Sequence, residues 1–256
     1  MLNTIATETR FTIARLWAAA LEEHQKTWRL GDKQYHCDFK GKRIPKAERI
    51  SEFLKAFEVA RTLPNKKVEE FFHEVSTATT HYSNQPTMSC RAGAIVSVIG
   101  DGEKWAFMKK SEPDTISKRS RPFSAASKLS WFIDPINWTL FDSYALRALE
   151  EKRENENIVR LNFQSFYKRL DELKAADLIT AIDCLLKKDE YFSHQELIGS
   201  RVLDKMLWIM GSHDYYRIVS GDICVKCLTI GTKIAKEFKY HGLHSHLNKR
   251  WGVPKQ

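Results

Sequence analysis

The chain lacks any apolar run long enough to cross a bilayer. A span needs roughly 18 uncharged residues, and the most continuous candidate, Ile223 to Ile230, is short and interrupted by Lys226. It also lacks a basic segment followed by an apolar one near its first residues, so no secretory signal is read there. Its five cysteines are odd in number and irregular in spacing. They do not form a disulfide framework, and free thiols point to a reducing, cytoplasmic setting. Internal repeats and low-complexity tracts are missing as well.

What is present is an ordinary globular composition. Of 256 residues, 43% are hydrophobic, and seven tryptophans and fourteen phenylalanines give a core its bulk, which excludes disorder over the whole chain. The formal net charge is +9 and the pI about 9.2. An excess of Lys and Arg favours polyanionic partners, because each cation placed on a phosphate releases a condensed counterion.

Hydrophobic periodicity is helical along most of the sequence. Phe11 to Trp28 places Leu16, Trp17, Ala20, Leu21 and His24 on one side, with a start among Thr7, Glu8 and Thr9 and an end at Gly31 and Asp32. Residues 31 to 45 mix glycine, charge and aromatics and read as an irregular loop. Ile50, Phe53, Leu54 and Phe57, then Val68, Phe71, Phe72 and Val75, mark a helical hairpin turning at Pro64 and Asn65. Ala94 to Ile99 fits a buried strand or a helix, with helix favoured by its surroundings, and a hairpin through Trp105 to Phe107 is possible. Residues 109 to 122 are polar and basic and read as an exposed loop and internal boundary. Beyond it come helices at Ser124 to Ile133, Ser143 to Lys152, Phe163 to Leu186 as two pieces, His194 to Met210, and Tyr215 to Tyr240 with interruptions at Gly221 and Gly231. The expected fold is all-α, a single domain over 1 to 256 with two helical lobes and a cleft between them.

The chemistry concentrates in residues 123 to 149. Lys128 lies on a helix among Ala125, Ala126, Leu129, Trp131 and Phe132, where desolvation lowers a lysine's pKa and frees its nucleophilic form. Pro135 stops that helix, and Asp142 sits just before the periodic run from Tyr144, placed to be an ionised N-cap. The plainer reading of the two is a surface lysine and a structural cap. Arg201, Asp204 and Lys205 fall at steps that meet on one helix face and read as a structural ion pair beside a buried Trp208. Cys224 and Cys227, followed by His241, His244 and His246, formally match a zinc pattern. The cysteines lie within an apolar periodic run, however, so a small-core role is preferred and no metal is assigned.

The small-residue, Ser127-Lys128 helix, the Pro-containing loop and Asp142-Ser143 resemble the catalytic segment of helix-hairpin-helix-type DNA glycosylases, in particular bacterial proteins with the 8-oxoguanine DNA glycosylase fold. Ser200 to Gly211 is similar to a second stretch of the same proteins. The resemblance implies a glycosylase with lyase activity that removes a modified base, such as 8-oxoguanine, from double-stranded DNA without a cofactor. Lys128 would attack C1′ of a flipped nucleotide, and Asp142 would orient it or stabilise charge on the sugar. The nearest candidates to line a base pocket are Trp131, Phe132 and Trp138. The family's glycine-rich phosphate-binding hairpin is not visible before Lys128. Lys118, Arg119 and Arg121 in the basic loop could contact phosphates in its place. The alternative is a non-catalytic DNA-binding or complex-forming protein on the same helical fold.

Overall fold

The structure is a computed structural model. It describes residues 12–40, 45–59, 63, 67–81, 87–100, 104–105, 107–108, 119–120, 122–136, 138–152, 158–159, 161–239 and 241–251. It is mainly helical, as the periodicity requires. The helices are α1 (Ile13–Thr27), α2 (Lys33–Phe39), α3 (Ala47–Ala56), α4 (Val68–His81), α5 (Met88–Ile99), α6 (Phe123–Ile133), α7 (Ser143–Leu149) and α8 (Phe163–Glu172). They continue with α9 (Ala175–Lys188), α10 (Glu190–Ser193), α11 (Gly199–Gly211), α12 (Tyr215–Ser220), α13 (Val225–Glu237) and α14 (Gly242–Trp251). Two antiparallel ladders of two residues each, Phe107–Met108 with Arg119–Ser120 and Glu151–Lys152 with Ile158–Val159, are the described β structure. Among the described residues no helix is long and apolar enough to cross a membrane.

Local chemistry explains most boundaries. Thr12 caps α1 by accepting from the Arg15 amide at 3.2 Å. Thr7, Glu8 and Thr9, the expected start, lie outside the described residues. Gly31 leaves helical geometry (φ 171°, ψ −25°) and kinks the path within one π turn, Trp28–Asp32, beyond which the chain resumes as α2. The loop expected over 31 to 45 is therefore helical from Lys33 to Phe39. The cause is tertiary: Phe39 is fully buried against Phe53 and Phe72, and Tyr35 packs on Phe53 and Phe57. Ala94 to Ile99 is helix, started by Thr87 and by Asp171, which accepts from the Met88 and Ser89 amides at 2.9 Å. The helix expected to run to Lys152 stops at Leu149 and the chain becomes extended.

Glycine is read correctly at one position and incorrectly at another. Gly221 does break the chain between α12 and α13. Gly231 lies inside an unbroken α13, where a Cβ would stand 2.4 Å from the Ala14 carbonyl oxygen of α1. Its missing side chain lets α1 and α13 meet backbone to backbone. α1 packs on both α13 and α11, and α11 packs on α7. A still closer approach joins those last two, since a Cβ on Gly211 would sit 1.8 Å from the Tyr144 carbonyl oxygen. Thus α11 is the element against which α1, α7 and α9 are all set.

Candidate active site

The sequence places Lys128 on α6 and Asp142 at the start of α7, and the structure explains how the intervening loop is held. Ser127, the residue before the lysine, is the hub. Its hydroxyl accepts from the Phe141 amide at 2.6 Å and pairs with the Tyr167 hydroxyl at 2.9 Å, while its carbonyl accepts from the Trp138 indole at 3.1 Å. Tyr167 in turn donates to the Thr139 carbonyl at 2.9 Å and stacks on Trp138 with ring centres 3.9 Å apart. The far end of the loop is gripped by Arg91 of α5, which donates to the carbonyls of Asp134 and Ile136, both at 3.1 Å, and pairs with the Asp134 carboxylate. Ser127, Trp138, Thr139, Tyr167 and Arg91 are buried, and together these groups fix where the chain enters α7.

Asp142 is the N-cap of that helix. Its Oδ1 accepts from the amides of Tyr144 and Ala145 at 2.9 and 2.8 Å, at the positive end of the helix dipole. Lys128 is half-buried, and its Nζ donates to the Phe57 carbonyl at 3.3 Å. Burial depresses its pKa below the usual lysine value, and the Arg201 charge acts in the same direction; Asp142, Asp204 and Glu58 act against it. The amine is thus partly desolvated, reachable by solvent and in the field of an N-cap carboxylate.

The other predicted site residues fare differently. Trp131, Phe132 and Trp138 have no exposed surface. Trp131 donates to Ser200 Oγ at 2.8 Å, Phe132 sits among Tyr35, Phe53 and Phe57, and Trp138 lies between Tyr167 and Arg91. They are core residues that shape the support of α6, not the walls of an open base pocket. Lys118 and Arg121 lie outside the described residues. Arg119 belongs to a short strand whose backbone pairs with Met108, so this part of the expected loop is ordered as a ladder.

Residues 201 to 208 form the expected ion pair and more. Arg201 bonds Asp204 at 2.5 Å and, through Nε and Nη2, Asp32 at 3.0 and 2.8 Å; all three residues are buried. The partnership with Asp32 joins the π turn to α11 across 169 residues of sequence. Asp204 Oδ1 is buried without a hydrogen-bond partner among the described residues, and burial raises its pKa to about 6. Lys205, half-buried, is lowered to about 8, first by burial and then by Arg201. Trp208 is only half-buried, edge-on to Tyr144 at 5.7 Å, because α7 covers one side of it and leaves the other open. Cys224 caps α13 by accepting from the Cys227 amide, Cys227 points to Gln25, and His244 accepts the Trp17 indole at 2.9 Å. A surface depression of about 450 Å³ is bordered by Trp28, Arg29, Lys33, Cys37, His194 and Gln195, among others, and does not include Lys128 or Asp142.

No protein-family model matches the chain, and neither does any curated protein or solved structure.

Proposed function

We propose that this protein is a lysine-dependent DNA glycosylase with lyase activity, acting on double-stranded DNA that carries a modified base. The observation that carries the reading is the placement of Lys128: a partly desolvated amine on a core-anchored helix, with an N-cap carboxylate in its field. Removing a base leaves an oxocarbenium-like sugar, which a fixed carboxylate stabilises, and a neutral amine can take the same carbon as a nucleophile. In the reading, the Lys128 lone pair forms a bond to C1′ as the bond from C1′ to the base nitrogen breaks. The base departs with that electron pair and takes a proton from the new alkylammonium. Two backbone amides hold the Asp142 carboxylate in place throughout. The net charge of +9 supports a polyanionic substrate, and the exposed thiols of Cys37, Cys90 and Cys184 suit a reducing cytoplasm where the protein would meet the nucleoid.

A second reading, a DNA-binding or complex-forming protein without turnover, is favoured by one observation: the three aromatics nearest the lysine are sealed in the core and offer no preformed seat for a flipped base. Borohydride trapping separates the two. Wild-type protein and Lys128→Gln are incubated with duplexes carrying 8-oxoguanine, uracil, an abasic site or a bulky modified cytosine. The expected result is a covalent adduct with wild type that disappears in the variant. No adduct on any duplex, with salt-sensitive DNA binding equal in both proteins, supports the binding module instead.

A further inference from the structure

We propose that the buried triad of Asp32, Arg201 and Asp204 is a positioning device for Lys128, setting the pH range over which its amine is free to react. The inference rests on reading Lys128 as the nucleophile and assigns a role to charges that the Lys128 and Asp142 pair leaves unused.

The argument begins with cost. Three charged side chains with almost no exposure (Asp32 6%, Arg201 4%, Asp204 2%) are expensive to desolvate, and a hydrophobic trio of similar volume would serve packing equally well. The triad is also incompletely satisfied. Arg201 bonds one oxygen of Asp204 and leaves the other buried and, among the described residues, unpartnered. A purely structural bridge gains nothing from a bare carboxylate oxygen.

Geometry ties this cluster to the lysine by two routes. The first runs through Phe57: the Arg201 guanidinium lies 5.9 Å from the centre of its ring, and its backbone carbonyl is the acceptor for Lys128 Nζ. The second runs through α6. Trp131, one turn beyond Lys128, hydrogen-bonds Ser200 at 2.8 Å, and Arg201 sits 5.5 Å from the Trp131 ring centre. One arginine therefore borders both the acceptor of the amine and the helix that carries it. The charged groups that act on Lys128 are Asp142 at the start of α7, Asp204 and Arg201 on α11, and Glu58 after α3. Asp204 is acted on by Arg201, Asp142, Lys205 and Lys128. Asp142 and Asp204 hold the amine as ammonium, whereas Arg201 and burial favour the neutral form. Asp32 offsets much of the Arg201 charge. Of the carboxylates that act on Lys128, Asp204 is the one that bonds Arg201 directly, so its charge is the adjustable one.

The test reads the lysine without requiring turnover. Full-length protein is labelled with a trace of acetic anhydride across a pH series, and the peptide containing Lys128 is quantified by mass spectrometry for wild type, Asp204→Asn, Asp204→Glu and Asp32→Asn. Asp204→Asn is expected to move the reactivity midpoint of Lys128 to lower pH by about half a unit or more, roughly a threefold gain in neutral amine below the midpoint. Asp204→Glu, which keeps the charge, should restore the wild-type curve. Asp32→Asn should shift it in the same direction as Asp204→Asn by a smaller amount, and it carries the test if Asp204→Asn does not fold. A curve that superimposes on wild type in a variant whose helical circular dichroism is intact overturns the inference, however strongly borohydride captures DNA. A shifted curve with no DNA captured supports it and overturns only the glycosylase reading.

Discussion

Two buried arginines organise this molecule, and they are used in opposite ways. Arg91 holds one carboxylate, two backbone carbonyls and the face of Trp138, and its task is to close the loop between α6 and α7. Among the described residues Arg201 holds two carboxylates and no backbone group that would fix a loop, and its surroundings are titratable: His24, Lys128, Asp142, Asp204 and Lys205. Two of the three groups that Arg91 holds are backbone carbonyls, which do not titrate, whereas Arg201 is paired with carboxylates. The contrast teaches that buried charge alone does not mark a functional centre; what the charge is paired with does.

The largest expected effect tests the clamp. Arg91→Ala strands the Asp134 carboxylate and two carbonyls, and should cost about 3–5 kcal/mol in urea unfolding, the range for removing one partner of a buried pair. A loss below about 1 kcal/mol would mean the loop holds itself. Next comes Gly211→Ala, which forces α7 off α11 and should cost about 1–3 kcal/mol while lowering any trapping by Lys128. Stability unchanged with trapping intact would show that the spacing between Asp142 and the Arg201 cluster is not critical.

The pH response gives a finer discrimination. Asp204, raised to about 6 by burial, binds a proton more tightly folded than unfolded, so its contribution is present in acid and is lost as pH rises from about 4 through 6. His24, held well below its ordinary value by burial, and His244, lowered to about 4 mainly by burial, act in the opposite sense, because the unfolded chain binds their protons first as pH falls below about 6.5. In wild type these slopes oppose one another. Asp204→Asn removes one of them, and its thermal midpoint should therefore fall more steeply than that of wild type between pH 6 and 4. Parallel curves would remove Asp204 from the titrating set. The smallest structural effect belongs to Asp142→Asn: asparagine caps a helix about as well as aspartate, so stability should change by less than about 0.5 kcal/mol. Trapping should nonetheless drop at least about tenfold. Full trapping in this variant would leave Asp142 with a cap's role alone.

The sequence made α6, its stop at Pro135 and the cap at Asp142 legible because each depends on neighbours within a few residues. The position of Lys128 in an apolar stretch was legible for the same reason. What supports the site was not. Asp32 looked like the end of a helix, and only the fold brings it to Arg201. Gly231 looked like a break, since nothing local says that α1 will press against it. Trp131, Phe132 and Trp138 were assigned to a pocket by proximity in sequence, but an aromatic near a reactive lysine serves equally well as the wall behind it. Asp204 was legible only as a partner for Arg201 and Lys205 on one helix face, since nothing local says that the fold buries that face.

The pairing of α1 with α13 also bears on how the chain comes off the ribosome. Ala14 and Gly231 touch, yet more than 200 residues separate them. At roughly 5–20 residues per second, synthesis leaves the apolar side of the first helix waiting on the order of 10–40 s for its cover. During that interval Leu16, Trp17 and Leu21 are available to any other sticky surface. A nascent chain of this design calls for a holding chaperone, or for rapid provisional burial against the helices that emerge next.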